Sequence, residues 1–283
     1  KSLSRTWQPL NWFTWEEIQK NFASDTSLQV SRHNHSHKMP RFIPINRDLM
    51  LFLGFFTAEG SFLTKGRYTR FSFGPQTIGG EKKHVKHIKD ISQKLFNLTP
   101  SDFEQKTSHS VVLNSTLVTF FLRSVLEVKS GARHKEIPPI VFTASKELQL
   151  AFLEGLFLGD GSLGKSSIVF NTISPVLASG IRYLLLQNQI MNSHTIALSK
   201  KPNRKPLHQI TVSGRKKLRK INTVWNKHYK AAALQEYCTQ KNANKASFSL
   251  IQQPNEDLGL LRINSIREVI PTQSFVYDLS VEG

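Results

Sequence analysis

This chain has almost no sulfur and little acid. Cys238 is its single cysteine, which excludes an intramolecular disulfide and any cysteine-rich zinc site. Aspartate and glutamate number 20 against 38 lysines and arginines, so the formal charge is +18 and the pI is near 10.1. Such an excess predicts a polyanionic partner, either nucleic acid or an acidic membrane surface. No apolar run approaches the ~18–20 residues that a membrane span needs. Nothing at the N-terminus reads as a signal peptide, and a start at Lys1 points to residues trimmed from in front of it. The basic residues are interleaved with strand patterns instead of lining one amphipathic helix, which argues against a membrane-surface role. What the chain does have is apolar: 39% of its 283 residues are hydrophobic, with 19 Phe. That content supports a packed core and enough length for one large or two small domains.

One stretch occurs twice. Leu53-Gly54-Phe55-Phe56-Thr57-Ala58-Glu59-Gly60-Ser61 returns as Leu153-Glu154-Gly155-Leu156-Phe157-Leu158-Gly159-Asp160-Gly161-Ser162. Each copy is an apolar run ending in acid, Gly, Ser. The two acids, Glu59 and Asp160, lie 101 positions apart (160 − 59). A repeat at that distance predicts two similar half-domains. Each copy reads as a helix: Asn46 caps the first and Ser145 the second, with Asp48 and Glu147 in the first turns. Gly60 and Gly161 stand at the glycine stop positions. Gly54 and Ala58 share one helix face, as do Gly155 and Gly159. A glycine within a helix costs roughly 1 kcal/mol relative to alanine, so it needs a packing reason. The reason expected is that these small faces meet and let two helix backbones approach closely.

That packing would place Glu59 and Asp160 side by side at two helix C-termini. The dipole there is negative, and two carboxylates repel. Both penalties vanish if the pair holds divalent cations through oxygen ligands, as Mg²⁺ prefers.

The paired stretches resemble the motif of LAGLIDADG homing endonucleases in their single-chain, two-motif form, over about residues 40–240. Glu59 stands where the family more often has Asp. Glu154 fills a second position that is usually small. Both variants look like those of intein-associated members. The resemblance implies a mixed α/β fold of two pseudo-symmetric half-domains whose antiparallel sheets form a saddle for DNA. It also implies a metal site made by Glu59 and Asp160 with the backbone carbonyls of Ala58 and Gly159, loaded with Mg²⁺ or Mn²⁺. Lys135, in Arg133-His134-Lys135-Glu136-Ile137-Pro138, matches the lysine that precedes Ile-Pro in intein-type members and lies in their catalytic centre. Its counterpart in the second half is Lys230, with Lys227 as the alternate.

The order of elements supports two halves. Residues 1–45 form an N-terminal extension with an aromatic cluster at Trp7, Trp12, Phe13 and Trp15. Its His33-Asn34-His35-Ser36-His37 run reads as a polar loop, because an HNH nuclease would need its ligands spread over a ββα unit. The first half-domain spans 46–140. It reads as the motif helix, then a hairpin over Ser61–Phe73 and a helix over Glu81–Phe96. A short strand at Val111–Leu113 and a helix over Thr116–Val128 complete it. On the hairpin, Phe71 and Phe73 mark one face, while Lys65, Arg67 and Arg70 mark a basic one. The second half-domain spans 141–245. Strand material at Gly164–Ser174 leads to a helix from the Ser174-Pro175 cap to about Ile190. A hairpin of Thr195–Ser199 with His208–Val212 follows, then helices from Arg215 and from about Lys227. Its tip, with Lys200, Lys201, Arg204 and Lys205, is the strongest candidate for DNA contact. Gln76 and Ser174 fall at matching strand ends and are expected to order active-site water. Residues 246–283 form a C-terminal extension; Ser274–Gly283 resembles the late strand of an intein splicing domain, and residues 15–32 its early counterpart. The nucleophile and the terminal His-Asn that splicing requires are missing, so both ends read as remnants.

The leading expectation is a monomeric, site-specific, Mg²⁺-dependent endonuclease acting on double-stranded DNA at a long asymmetric site, leaving 3′ overhangs. The alternative is an intron RNA maturase that uses the same basic surface to hold structured RNA. A third possibility, a transcription regulator, would be marked by degraded acids, and these are intact. Frequent Lys, Asn, Phe and Ile point to an AT-rich genome, organellar or microbial.

Overall fold

The computed structural model describes residues 16, 27–29, 37–63, 67–74, 81–164, 166–198, 204–225, 231–239, 251–252, 260–261, 263 and 265–268. The chain divides into a large unit, Lys1–Ala243, and a small one, Asn244–Gly283.

The large unit opens with a short antiparallel pair, β1 (Ser27–Gln29) and β2 (Lys38–Pro40). Met39 of β2 is buried in the core. Beside it, His37 bridges Ser115 Oγ at 2.9 Å and the Phe96 carbonyl at 2.6 Å. A carbonyl only accepts, so Nε2 is the protonated nitrogen. The end of the N-terminal extension is thus fastened to the first half-domain. The remainder of the His33–His37 run and the aromatic cluster lie outside the described residues.

The first half-domain runs α1 (Arg47–Glu59), β3 (Gly60–Leu63), β4 (Tyr68–Phe73), α2 (Glu81–Phe96), β5 (Ser101–Gln105), β6 (Ser108–Leu113) and α3 (Thr116–Phe120). A π-helical turn, Phe121–Val125, follows α3, so the helix expected to reach Val128 stops earlier. A connecting segment leads to α4 (Pro139–Thr143). The second half-domain repeats the order as α5 (Lys146–Asp160), β7 (Ser162–Leu163), β8 (Ser167–Thr172), α6 (Pro175–Gln187), β9 (Ser193–Ala197), β10 (Leu207–Ser213), α7 (Arg215–Asn222) and α8 (Ala231–Thr239). Helix α6 ends at Gln187, short of Ile190, because Gln189 turns to a left-handed φ of 58°.

Each half carries a four-stranded antiparallel sheet of the same topology, β3-β4-β6-β5 and β7-β8-β10-β9. The protein is therefore a mixed α/β fold with two equivalent sheets. The register makes the equivalence residue-exact. Phe71 pairs with Val111 as Phe170 pairs with Ile210, an offset of 99 positions (170 − 71). The motif helices are offset by 101, so the β7–β8 turn is two residues shorter than its counterpart.

Burial alternates along the central strands. Thr69, Phe71 and Phe73 of β4 point inward, as do Ile168, Phe170 and Thr172 of β8. On the same inner side, β6 contributes Val111 and Leu113, and β10 contributes Ile210 and Val212. The core is continuous across both halves, with Phe52, Phe55, Phe56, Phe152, Phe157 and Trp225 fully buried. The Trp225 ring stacks on Phe157 at 5.1 Å while its indole N–H donates to the Leu150 carbonyl at 2.9 Å, so this large side chain is polar-satisfied as well as packed.

The small unit, taken by itself, contains the antiparallel pair β11 (Ile251–Gln252) and β12 (Leu260–Leu261). The stretch 274–283 and most of 15–32 lie outside the described residues.

Candidate active site

The two motif helices, α1 and α5, run side by side through the centre of the large unit, and glycine sets their spacing. A Cβ added at Gly54 would overlap the Phe152 carbonyl oxygen and sit 2.7 Å from Leu156 N. One at Gly155 would overlap the Leu51 carbonyl oxygen and sit 3.0 Å from Phe55 N. One at Gly159 would overlap Ala58 Cβ and sit 3.2 Å from Glu59 Cγ. Real Cβ atoms do not approach that closely, so the contact is backbone against backbone. It is the meeting of small faces expected from Gly54, Ala58, Gly155 and Gly159.

Both helices start and stop as their sequences dictate, with two differences. Asn46 caps α1 through Leu49 N at 3.0 Å. Ser145 occupies the cap position of α5 but makes no side-chain cap bond. Gly60 and Gly161 end the helices in extended conformation (φ −81°, ψ 149°), not as left-handed stops. Glycine is needed there for a steric reason instead: a Cβ would run into the rings of Phe56 and Phe157 one turn earlier.

The packing carries Glu59 and Asp160 to adjacent helix ends; Glu59 is half-buried and Asp160 exposed. Lys135 joins them from the connecting segment. Its Nζ donates to the Ala58 carbonyl at the end of α1 and lies 3.9 Å from Asp160 Oδ2 at the end of α5. An ammonium at two helix C-termini offsets both the dipoles and the carboxylate charge.

Neighbouring bonds hold Lys135 in place. Gly131, at φ 94°, makes a tight turn whose carbonyl accepts from His134 N at 2.8 Å and Lys135 N at 3.1 Å. Ser130 Oγ accepts from Phe62 N at 3.3 Å, tying the segment to the first half-domain. Ser174 Oγ donates to the Lys135 carbonyl at 2.7 Å, tying it to the second. Ser174 is fully buried and also caps α6 through Leu177 N at 3.1 Å. It therefore does not meet water, as the sequence suggested, but positions the lysine. Gln76 lies outside the described residues, as do Lys230 and Lys227.

One feature of α5 that the sequence marked as a departure now has a partner. Glu154 is 2% exposed, and its carboxylate pairs with the Arg47 guanidinium from the first turn of α1. Arg47 also reaches the Val224 carbonyl at 3.4 Å. This ion pair ties the two half-domains together behind the glycine contact.

Donor chemistry at the helix ends suits a hard divalent cation: two carboxylates and main-chain oxygens, with no sulfur or imidazole in the set. No group of three or more His, Cys, Asp or Glu side chains that could hold a metal occurs among the described residues. Further ligands would have to be waters or substrate oxygens, the usual arrangement for Mg²⁺. The Ala58 carbonyl, expected as a metal ligand, here accepts from Lys135.

The outward strand faces of the two sheets carry few cations among the described residues. Among described residues in the strands, the outward face of the first sheet has one cation, Arg70. Around it stand Ser61, Ser72, Ser101, Ser110 and Gln105. The second sheet presents Asn171, Thr195, Gln209 and Thr211 with no lysine or arginine. Charge is found at the periphery instead. Arg67 is exposed in the β3–β4 turn, and Arg204 and Lys205 are exposed just before β10. Lys82, Lys83 and Lys86 line the open side of α2. Lys65, Lys200 and Lys201 lie outside the described residues. The strand alternation expected at Phe71 and Phe73 holds; the basic residues that follow it sit in turns and on helices.

Comparison with known proteins places this architecture. Residues 147–226 match the family described as the LAGLIDADG-like domain. An uncharacterized protein of Methanocaldococcus jannaschii is 25% identical over 225 residues, covering 76% of this chain and 25% of that protein. The ATP-dependent DNA helicase Hel308 of Thermococcus kodakarensis is 24% identical over 208 residues, covering 66% of this chain and 18% of the helicase. The chain thus spans about a quarter or less of these relatives' length. Among solved structures, I-DmoI in complex with DNA and Ca aligns with a TM-score of 0.50 at 17% identity, over 68% of this chain and 98% of that one. At that identity the likeness is one of fold.

Proposed function

We propose that this chain, in which residues 147–226 form a LAGLIDADG-like domain, is a site-specific endonuclease for double-stranded DNA. The observation that carries the reading is the convergence of Glu59, Asp160 and Lys135 at paired helix ends between two equivalent sheets. Two acids and a lysine at one point suit phosphodiester hydrolysis. Mg²⁺ or Mn²⁺ bound by Glu59 and Asp160 would polarise phosphate oxygens and lower the pKa of a bound water. Lys135, already between the two helix ends, supplies a fixed positive charge against the charge that grows on the phosphate during attack. One ammonium balances one of the two carboxylates, which leaves the acid pair and the helix dipoles with net negative charge that favours a divalent cation.

The sheets take the role of reading the duplex, with the polar side chains of their outward faces toward base edges and the nearby cations on phosphates. Arg67, Arg70, Arg204 and Lys205 are the described residues in that role, and Lys65, Lys200 and Lys201 extend it. I-DmoI, of the same fold, has been solved with DNA and Ca. The two halves carry different side chains on equivalent positions, so the target is asymmetric and one chain covers both half-sites as a monomer. Products with 3′ overhangs follow from the family reading, with Lys230 serving the second strand. The match to part of a helicase and part of a longer uncharacterized protein supports a module that is inserted into other chains, the intein-associated type.

The test is cleavage of a randomised duplex library with Mg²⁺, with Ca²⁺ and with chelator, followed by sequencing of the ends. One long site cut with Mg²⁺ and left intact by Glu59→Gln or Asp160→Asn, with DNA binding retained, supports the proposal. Unchanged double-strand cutting by both variants overturns the site. Tight binding without cutting by the wild-type chain turns the reading to the maturase, with intron RNA as the substrate to try.

A further inference from the structure

On the second sheet, Asn171 of β8 and Gln209 of β10 are direct cross-strand partners on the two central strands. Their neighbours Phe170 and Ile210 are buried, so this pair occupies the outward face. Gln209 Nε2 donates to Asn171 Oδ1 at 3.2 Å. That bond uses one hydrogen of the Gln209 amide and fixes the plane of the carboxamide. The second N–H of Gln209 and its Oε1 make no other side-chain hydrogen bond among the described residues. They stand side by side as one donor and one acceptor.

The equivalent pair on the first sheet is Ser72 and Ser110, also directly opposed. Two hydroxyls there replace two carboxamides. The positions are matched by the shared register, but Ser110 is buried where Gln209 is half-buried, so the first sheet's pair offers less to a ligand in both side chain and access. The next outward pair also differs: Arg70 opposite Val112 in the first sheet, Val169 opposite Thr211 in the second.

We infer that Gln209, oriented by Asn171, is a specificity-determining residue that reads one adenine in the half-site facing the second sheet. The matched position in the other half-site is read only weakly by Ser72 and Ser110. This inference rests on the proposed reading of the sheets as the DNA surface and adds the base that one of them selects. Adenine presents N7 as acceptor and the N6 amino group as donor on its major-groove edge. Gln209 meets that pattern with the N–H that Asn171 leaves open and with Oε1. Guanine offers two acceptors at the same place, and Oε1 would then face O6 with no hydrogen between them. Turning the Gln209 amide alone would set Oε1 against Asn171 Oδ1 and lose their bond, so the two carboxamides turn only together. A serine hydroxyl rotates to donate or accept, so the Ser72–Ser110 pair imposes little choice.

The experiment is selection from a randomised duplex library by the full-length chain in Ca²⁺, read as base frequency at each position of the bound pool. The wild-type pool should show one adenine, favoured about 5- to 150-fold over the other bases, as a bidentate contact gives. Gln209→Ala should flatten that position alone. Gln209→Glu keeps the acceptor and loses the donor, so the preference should move to cytosine, whose N4 amino group donates. The double variant Ser72→Asn/Ser110→Gln should create a new adenine preference at the matched position of the other half-site. A switch of base and a gain of base are results that a misfolded variant cannot produce. If the wild-type pool has a defined site and Gln209→Glu leaves every position unchanged, the inference is overturned while the endonuclease reading stands. If the wild-type chain selects no sequence from duplex DNA, the proposed reading fails and the inference fails with it.

Discussion

Ser174 donates its hydroxyl to the main-chain carbonyl of Lys135 at 2.7 Å, while Lys135 in turn donates to the carbonyl of Ala58. A buried helix cap in the second half-domain therefore places an ammonium at the helix end of the first. Replacing Ser174 with alanine should cost about 1 kcal/mol of stability through the lost cap. It should also lower kcat for DNA cleavage about tenfold with little change in DNA affinity, since a displaced charge acts mainly on the transition state. Ser174→Thr, which keeps the hydroxyl, should restore turnover. Ser115→Ala removes the cap of α3 at Val118 N and should cost similar stability while leaving kcat unchanged. Equal kcat losses in both alanine variants would reduce Ser174 to a structural cap.

The glycine contact gives a stability prediction with an internal control. Gly155→Ala forces a Cβ onto the Leu51 carbonyl of the neighbouring helix, which is backbone and cannot swing away. The expected loss is about 1–3 kcal/mol or more, seen as a lowered denaturation midpoint. Gly180→Ala brings a Cβ to 3.1 Å from Ile137 Cδ1, the end of a side chain that can shift. It should be the milder variant. The reverse order would show that the two helices can separate without cost.

The Arg47–Glu154 pair should behave as a buried ion pair does. Arg47→Met strips the guanidinium from a carboxylate that is only 3% exposed. Loss of one partner should cost about 3 kcal/mol, at the low end for such pairs because the Arg47 side chain is 29% exposed. The double variant Arg47→Met/Glu154→Gln should recover much of that loss in urea denaturation. A double variant no more stable than Arg47→Met would mean the charge of Glu154 is answered elsewhere.

Acid should loosen the outer strand pairs of the two sheets at different pH. On the inner side of the second sheet, the His194 and His208 rings stack with Nε2 and Nδ1 3.0 Å apart. Burial, then the Arg182 guanidinium and the His208 ring, hold His194 below its ordinary pKa. The unfolded chain then takes up the proton before the folded one. Stability from this group is full above about pH 6.5 and declines as pH falls below that value. At the matched positions of the first sheet stand Asp102 and His109, joined at 2.9 Å. Hydrogen bonding from Lys89 and then His109 lowers Asp102 below the ordinary carboxylate range. Its stabilisation is full above about pH 3.9 and declines only below that. Hydrogen exchange between pH 7 and 5 should therefore rise in β9 and β10 before β5 and β6. His194→Gln should remove the difference; equal rises in both sheets of the wild type would refute the assignment.

Much of this arrangement was legible from residue pattern. The duplicated acid-Gly-Ser ending located both central helices, and the helix expected over Glu81–Phe96 has the bounds of α2. Small residues at Gly54 and Gly155 announced a close helix contact because only such a contact repays glycine in a helix. Other parts had no local signal. Strand β5, Ser-Asp-Phe-Glu-Gln, is exposed throughout and lacks apolar alternation, so only its pairing with β6 reveals it. Ser174 was visible as a helix cap, but its second bond goes to a residue 39 positions earlier, which no local pattern encodes. Of the basic residues expected on the hairpins, Arg70 stands on an outward strand face, while Arg67, Arg204 and Lys205 lie in turns, where no alternation fixes their direction. Glu154 looked like a mere exception until the fold brought Arg47 from 107 positions away.

The segment from Ser130 to Ile137 has a bearing on how such a protein can be recombined. Ser130 is bonded to the first half-domain, the Lys135 carbonyl to the second, and the Lys135 ammonium to the first again. A crossover at this joint would leave a hybrid whose lysine and whose anchoring serine come from different parents. Exchange of half-domains would succeed only if the joint travelled as a unit with residues compatible on both sides. The two halves, bonded through this joint on both sides, are in that sense not separable by simple scission.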